Sequence, residues 1–135
     1  MATLLVGGIL IFPLTTLLLR LSGRQASLPA GHPMAGLATQ VAFTVPFGLL
    51  VALAAAAYRL GWFFPASMVI VGAHYLPFVF LYGMQLFALL AALLVFGGVA
   101  LAMWLPEQFS VGGWLSGAAL VVFAFLLRAS APDVE

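Results

Sequence analysis

The sequence predicts an all-α polytopic transmembrane helical bundle of about five spans, and three observations carry that expectation. Of the 135 residues 66% are apolar and only 5% are charged, and mean hydropathy is +1.28. A soluble domain carries about 25% charged residues to cover its surface, so a water-soluble globule is excluded. The apolar residues also gather into five runs bounded by turn or charge signals. These runs lack the period-two alternation of barrel strands, and only helices or closed barrels satisfy their own backbone in lipid.

The runs lie at approximately 4–19, 41–58, 62–82, 86–105 and 110–127, read as one transmembrane domain over 1–135. Most match the roughly 20 residues needed to cross a hydrocarbon core about 30 Å thick. The first has no basic residue before it and no A-x-A site after it, and Arg20 and Arg24 follow it. That order is the reverse of a secretory signal, so it reads as a retained helix. Residues 20–40 form the longest connection, with Ser22, Gly23, Pro29, Gly31 and Pro33 as breakers. The second run carries Gly48, Ala52 and Ala56 at spacing four, continuing a stripe from Gln40 and Thr44. Residues 59–61 are a tight turn. The third and fourth runs drawn as one helix would reach about 65 Å at 1.5 Å per residue, so the chain must reverse near Gly83. Gly98 and Ala102 mark the fourth run, and the fifth carries Gly113-x-x-x-Gly117 with Gly112 and Ser116 alongside.

Small residues at spacing four let helix backbones approach closely, the main source of association in lipid. Two readings stay open for these faces: packing within one bundle, and homo-oligomerisation through Gly48, Ala52 and Ala56 or through Gly113 and Gly117. Pro13, Pro46 and Pro77 interrupt three runs and free the carbonyls of Ile9, Ala42 and Ala73. Kinked bundle helices and a conduction path or cleft are the alternatives there.

Charge distribution orients the chain. Arg20, Arg24 and Arg128 fall on one side and Arg59 alone on the other. Positive-inside bias then places the 20–40 loop and the C-terminus in the cytoplasm. Trp62, Trp104 and Trp114 fall near the opposite face, as interfacial anchors do. Four scattered arginines cannot supply the phosphate contacts of a nucleic-acid site. Cysteine is absent, which removes disulfides, thiolate nucleophiles and zinc–cysteine clusters.

Chemistry concentrates in Gly72-Ala73-His74-Tyr75-Leu76-Pro77-Phe78. His74 is the one ionisable side chain close to the bilayer centre, and such a residue marks a functional site by default. Neutral imidazole holds one donor and one acceptor, so His74 should face protein or water. On an unbroken helix Ser67, His74 and Gln85 lie within about 20° of each other. The candidate residues of this segment and its face are therefore His74, Pro77, Tyr75 and Ser67. A structural histidine bonded across helices, a proton-relay histidine and a metal or haem ligand are the three readings. The last is weak because His32, the other histidine, lies in the Pro-rich loop. Glu107, Asp133 and Glu135 form no carboxyl pair at a shared depth, and Ser67 is two turns from His74. No enzyme, resident metal or cofactor is expected.

The run Phe64-Pro65 … Gly72-Ala73-His74-Tyr75-Leu76-Pro77-Phe78 … Leu81-Tyr82 resembles the signature of a family of small uncharacterised bacterial integral membrane proteins, in which Gly-Ala-His-x-Leu-Pro is followed by Leu-Tyr. The resemblance extends from Pro13 through the fifth run, mostly as hydropathy. It implies six spans with one helix upstream of these five, and an Asn-Pro-Leu segment where this chain has His32-Pro33-Met34. Either a shortened variant or a late start would account for the difference. The resemblance implies no activity, and it groups His74, Pro77 and Tyr82. The functional expectation is a multi-pass protein of the bacterial inner membrane without assignable reaction. Its two elaborations are a small oligomeric permease or channel using His74, and a structural or interaction subunit.

Overall fold

The computed structural model describes residues 2–21, 35–105 and 107–130. Among them are five α-helices: α1 (Ala2–Leu21), α2 (Ala35–Tyr58), α3 (Phe63–Tyr82), α4 (Leu86–Trp104) and α5 (Phe109–Ser130). The described residues contain no strand. The all-α expectation holds, and α2 to α5 each contain a segment long and apolar enough to cross a membrane, beginning at Gln40, Leu60, Leu86 and Phe109. Helix bounds fall within a few residues of the expected runs except at α2. That helix starts six residues early and takes 35–40 out of the expected loop. Ala35, Leu37 and Ala38 are adequate helix formers, and the breakers Pro29, Gly31 and Pro33 all precede them. His32, Arg24, Asp133 and Glu135 lie outside the described residues.

The chain divides into two compact units, residues 1–39 and 40–135. The first holds α1, a helix that runs through Pro13 and ends with Arg20 in its last turn. The second holds the packed bundle. Arg59 N–H donates to the Ala55 carbonyl at 2.9 Å, and Trp62 N–H donates to Arg59 at 2.9 Å, closing a 3-10 turn over Leu60–Trp62 between α2 and α3. Gly83 ends α3 with φ +66°, the left-handed conformation that glycine enters without a Cβ penalty. The reversal expected at this residue is therefore where the chain makes it.

α3 and α4 are the most closely packed pair. Glycine explains the closeness: a Cβ on Gly98 would sit 2.7 Å from the Pro65 carbonyl oxygen, and one on Gly72 would sit 3.0 Å from that of Ala91. The core is Met68 of α3, Leu90, Leu94 and Leu101 of α4 and Phe123 of α5, with Val71 and Tyr75 packed on it. At the end where α3 begins, Phe63 and Phe64 meet Phe109 of α5, with ring centroids 6.4 and 4.9 Å apart. A Cβ on Gly112 would meet Phe64, and one on Gly48 would meet Ile70. The small-residue positions Gly48, Gly98, Gly112 and Gly113 are thus used inside the bundle, while Gly117 has nothing within 4 Å.

Candidate functional site

α2 and α3 form an antiparallel pair hinged at Arg59, and the contacts Gly48 to Ile70 and Thr44 to His74 keep one register about that hinge. Fifteen residues of helix from Arg59 put both Thr44 and His74 roughly 22 Å from the turn. The Thr44 hydroxyl lies 2.9 Å from His74 Nδ1 and 2.7 Å from the Val41 carbonyl oxygen. A hydroxyl has one proton, and the carbonyl can only accept. The hydroxyl therefore donates to Val41 and accepts from His74, which assigns the proton of neutral His74 to Nδ1. Nε2 is then the acceptor nitrogen.

His74 sits half-buried behind an outward-facing recess of about 480 Å³ lined by Gln40, Phe43, Thr44 and Phe47. These four residues occupy one helical face at spacings of three and four. No charged side chain lines the recess among the described residues. The described charges, Arg20, Arg59, Glu107 and Arg128, all stand at helix ends or turns.

On its other flank His74 meets aromatic rings. Phe78, one turn on, is edge-on to the imidazole at 5.1 Å. Phe78, Tyr75 and Tyr82 gather around Phe87 of α4, with centroids 5.6, 6.1 and 5.6 Å from it. His74 thus stands between a hydrogen bond to α2 and an aromatic cluster that ties α3 to α4.

The other expected residues separate. Tyr75 and Tyr82 belong to the aromatic cluster. Pro77 lies inside α3, which stays helical through it. Ser67 is buried at 4% exposure, and its hydroxyl has no partner among the described residues. It shares a helical face with His74 but lies about 10 Å along the axis. Gln85 leaves the set altogether, because the turn at Gly83 moves it to the cap position of α4. Thr44, Phe78 and Phe87 belong to the site and were not anticipated there. Phe78 follows His74 at spacing four, which could have revealed it; nothing local points to Thr44 or Phe87. No group of three metal-ligating side chains occurs among the described residues.

A family model described as a family of unknown function (DUF7010) matches residues 1–130. The chain belongs to that family. Neither the curated proteins nor the solved structures contain a match to it. An uncharacterised membrane protein, with no reaction assignable from its relatives, is what sequence, fold and family agree on.

Proposed function

We propose that the protein is a structural subunit of a membrane assembly, not an enzyme, and that its Gln40–Phe47 face receives a further transmembrane helix. One observation carries this reading: Gln40 and Thr44 are exposed on a face of α2 within a membrane-spanning segment. Polar groups in spans face protein or a watery cavity rather than lipid. Here the recess is flanked by Phe43 and Phe47 and has no charged wall, which suits the side chains of a helix better than a column of water. The arginine count supports insertion with 20–40 and the C-terminus in the cytoplasm. The Gly72–Phe78 segment supports a bacterial inner membrane as the setting.

Replacing Phe47 with the photo-crosslinker p-benzoylphenylalanine tests the proposal, with Phe96 of α4 (73% exposed) as the comparison site. Irradiation in native membranes should link position 47 to a second polypeptide, a copy of this chain or another subunit, identified by intact mass. Adducts to lipid alone, or only within the chain, would overturn it.

One observation favours a second reading. Nε2 of His74, the acceptor nitrogen of a half-buried imidazole within a candidate span, is the group that a proton path would use. On that reading His74→Gln abolishes proton flux in proteoliposomes, and equal flux in wild type and variant removes it.

A further inference from the structure

A second concavity lies at the opposite end of the α2–α3 pair. A groove of about 200 Å³ opens between α3 and α4, bounded by Ala66 and Val69 on one side and Gly98 and Ala102 on the other, with Ala55 and Trp62 at the end nearest the Arg59 turn. Its lining exposes no polar atom. The groove follows from composition: Ala66, Gly98 and Ala102 withhold side-chain volume where Gly98 brings α4 against the Pro65 carbonyl. From Trp62 to Val69 it runs about 10 Å down the helix axis. That is the direction an acyl chain takes from the interface into the core.

Arg59 stands over Trp62, which lines this end of the groove. Its guanidinium carbon is 5.7 Å from the Trp62 ring centroid, and Tyr58 lies 5.8 Å from the same ring. The indole N–H is buried, so the ring offers a face to the cation and a hydrocarbon wall to the groove. Cation–π contact over an aromatic face holds an arginine in place without neutralising it. Arg59 has no carboxylate partner among the described residues, and Glu107, the one carboxylate among them, is not paired with it. The Gln40–Phe47 recess is the reverse case, with polar groups and no cation.

We propose that Arg59 and this groove form a binding site for one anionic phospholipid, with its phosphate on the guanidinium and an acyl chain along Ala66, Gly98 and Ala102. A cation with no carboxylate partner among the described residues, fixed at the interface, selects the headgroup, and an apolar groove beneath it accepts the chain. The site shares no residue with the Gln40–Phe47 face, and it stands whether or not that face holds a partner.

Native mass spectrometry of the full chain, released from discs of equimolar phosphatidylglycerol and phosphatidylcholine, tests it. Wild type should retain one phosphatidylglycerol with a preference of about fivefold, the worth of one arginine near anionic lipid. Arg59→Gln should bring the preference to parity, and Arg128→Gln, at the end of α5, should leave it intact. Ala102→Leu fills the groove and should lose the retained lipid of either headgroup; Ala55→Leu does so from α2 if circular dichroism shows that the first variant misfolds. Parity in wild type, a preference that survives Arg59→Gln, or an equal loss in Arg128→Gln would overturn the headgroup site. Lipid retention undiminished in a folded groove-filling variant would overturn the groove.

Discussion

A threonine hydroxyl has one proton to give, and at Thr44 its assignment settles the state of a residue thirty positions away. Because that proton goes to the Val41 carbonyl, His74 must donate through Nδ1. Thr44→Val keeps the shape and removes the acceptor. Interhelical hydrogen bonds in membranes are worth about 0.6 kcal/mol on average and up to about 1.7 kcal/mol. Thr44→Val should therefore destabilise the folded chain by about 1 kcal/mol in detergent unfolding, and Thr44→Ser should recover most of it. Equal stability of all three would show that the Thr44–His74 contact does not contribute. Ser67 offers a contrast. Its hydroxyl is buried without a partner among the described residues, so Ser67→Ala should be neutral or stabilising, since it removes an unsatisfied group.

At the scale of the helices, glycine positions divide by what their missing Cβ would strike. Gly98→Ala drives a methyl toward the Pro65 backbone, where nothing can rotate away. Overpacking of this kind costs about 1–3 kcal/mol. Gly117→Ala meets open space and should be neutral or stabilising by a few tenths of a kcal/mol to about 1 kcal/mol, because alanine narrows the unfolded ensemble. Gly83 differs from both. It has room for a Cβ but sits at φ +66°, so Gly83→Ala should cost about 1 kcal/mol through the backbone alone. The three variants in one unfolding series separate close approach, free surface and left-handed backbone.

For the molecule as a whole, one end is rich in rings. Phe63, Phe64 and Phe109 meet where α3 and α5 begin, and Trp62 stands in the turn before them. Trp104 closes α4 and is 75% exposed, and Trp114 of α5 is 80% exposed. All three tryptophans should be quenched best by shallow lipid-attached quenchers, as in an interfacial belt. Uniform deep quenching would put this end inside the hydrocarbon. The absence of cysteine makes orientation testable with single labels. A membrane-impermeant maleimide should reach Glu107→Cys in intact cells and reach Ser130→Cys only after permeabilisation. The opposite pattern would invert the proposed topology.

Hydropathy and punctuation were enough to place the helices, apart from the start of α2, which lies six residues before its run. The runs and the reversal at Gly83 follow from the cost of unsatisfied backbone in lipid and from helix length against bilayer thickness. These constraints are local or one-dimensional, so a sequence displays them. The small-residue spacing of Gly98 and Gly112 likewise announced close packing, though not its partner. What His74 touches was not legible. Thr44 lies thirty positions away and Phe87 lies across the Gly83 turn, and both reach the site because antiparallel helices place equal distances from a turn side by side. The turn at Gly83 took Gln85 out of the expected Ser67–His74–Gln85 face, since a helical angle carries no further than its own helix. The groove beneath Arg59 likewise exists only where alanines and glycine from two helices face each other. Pairing of distant segments is a property of the folded chain, and it brought Thr44 and Phe87 to the residues around His74.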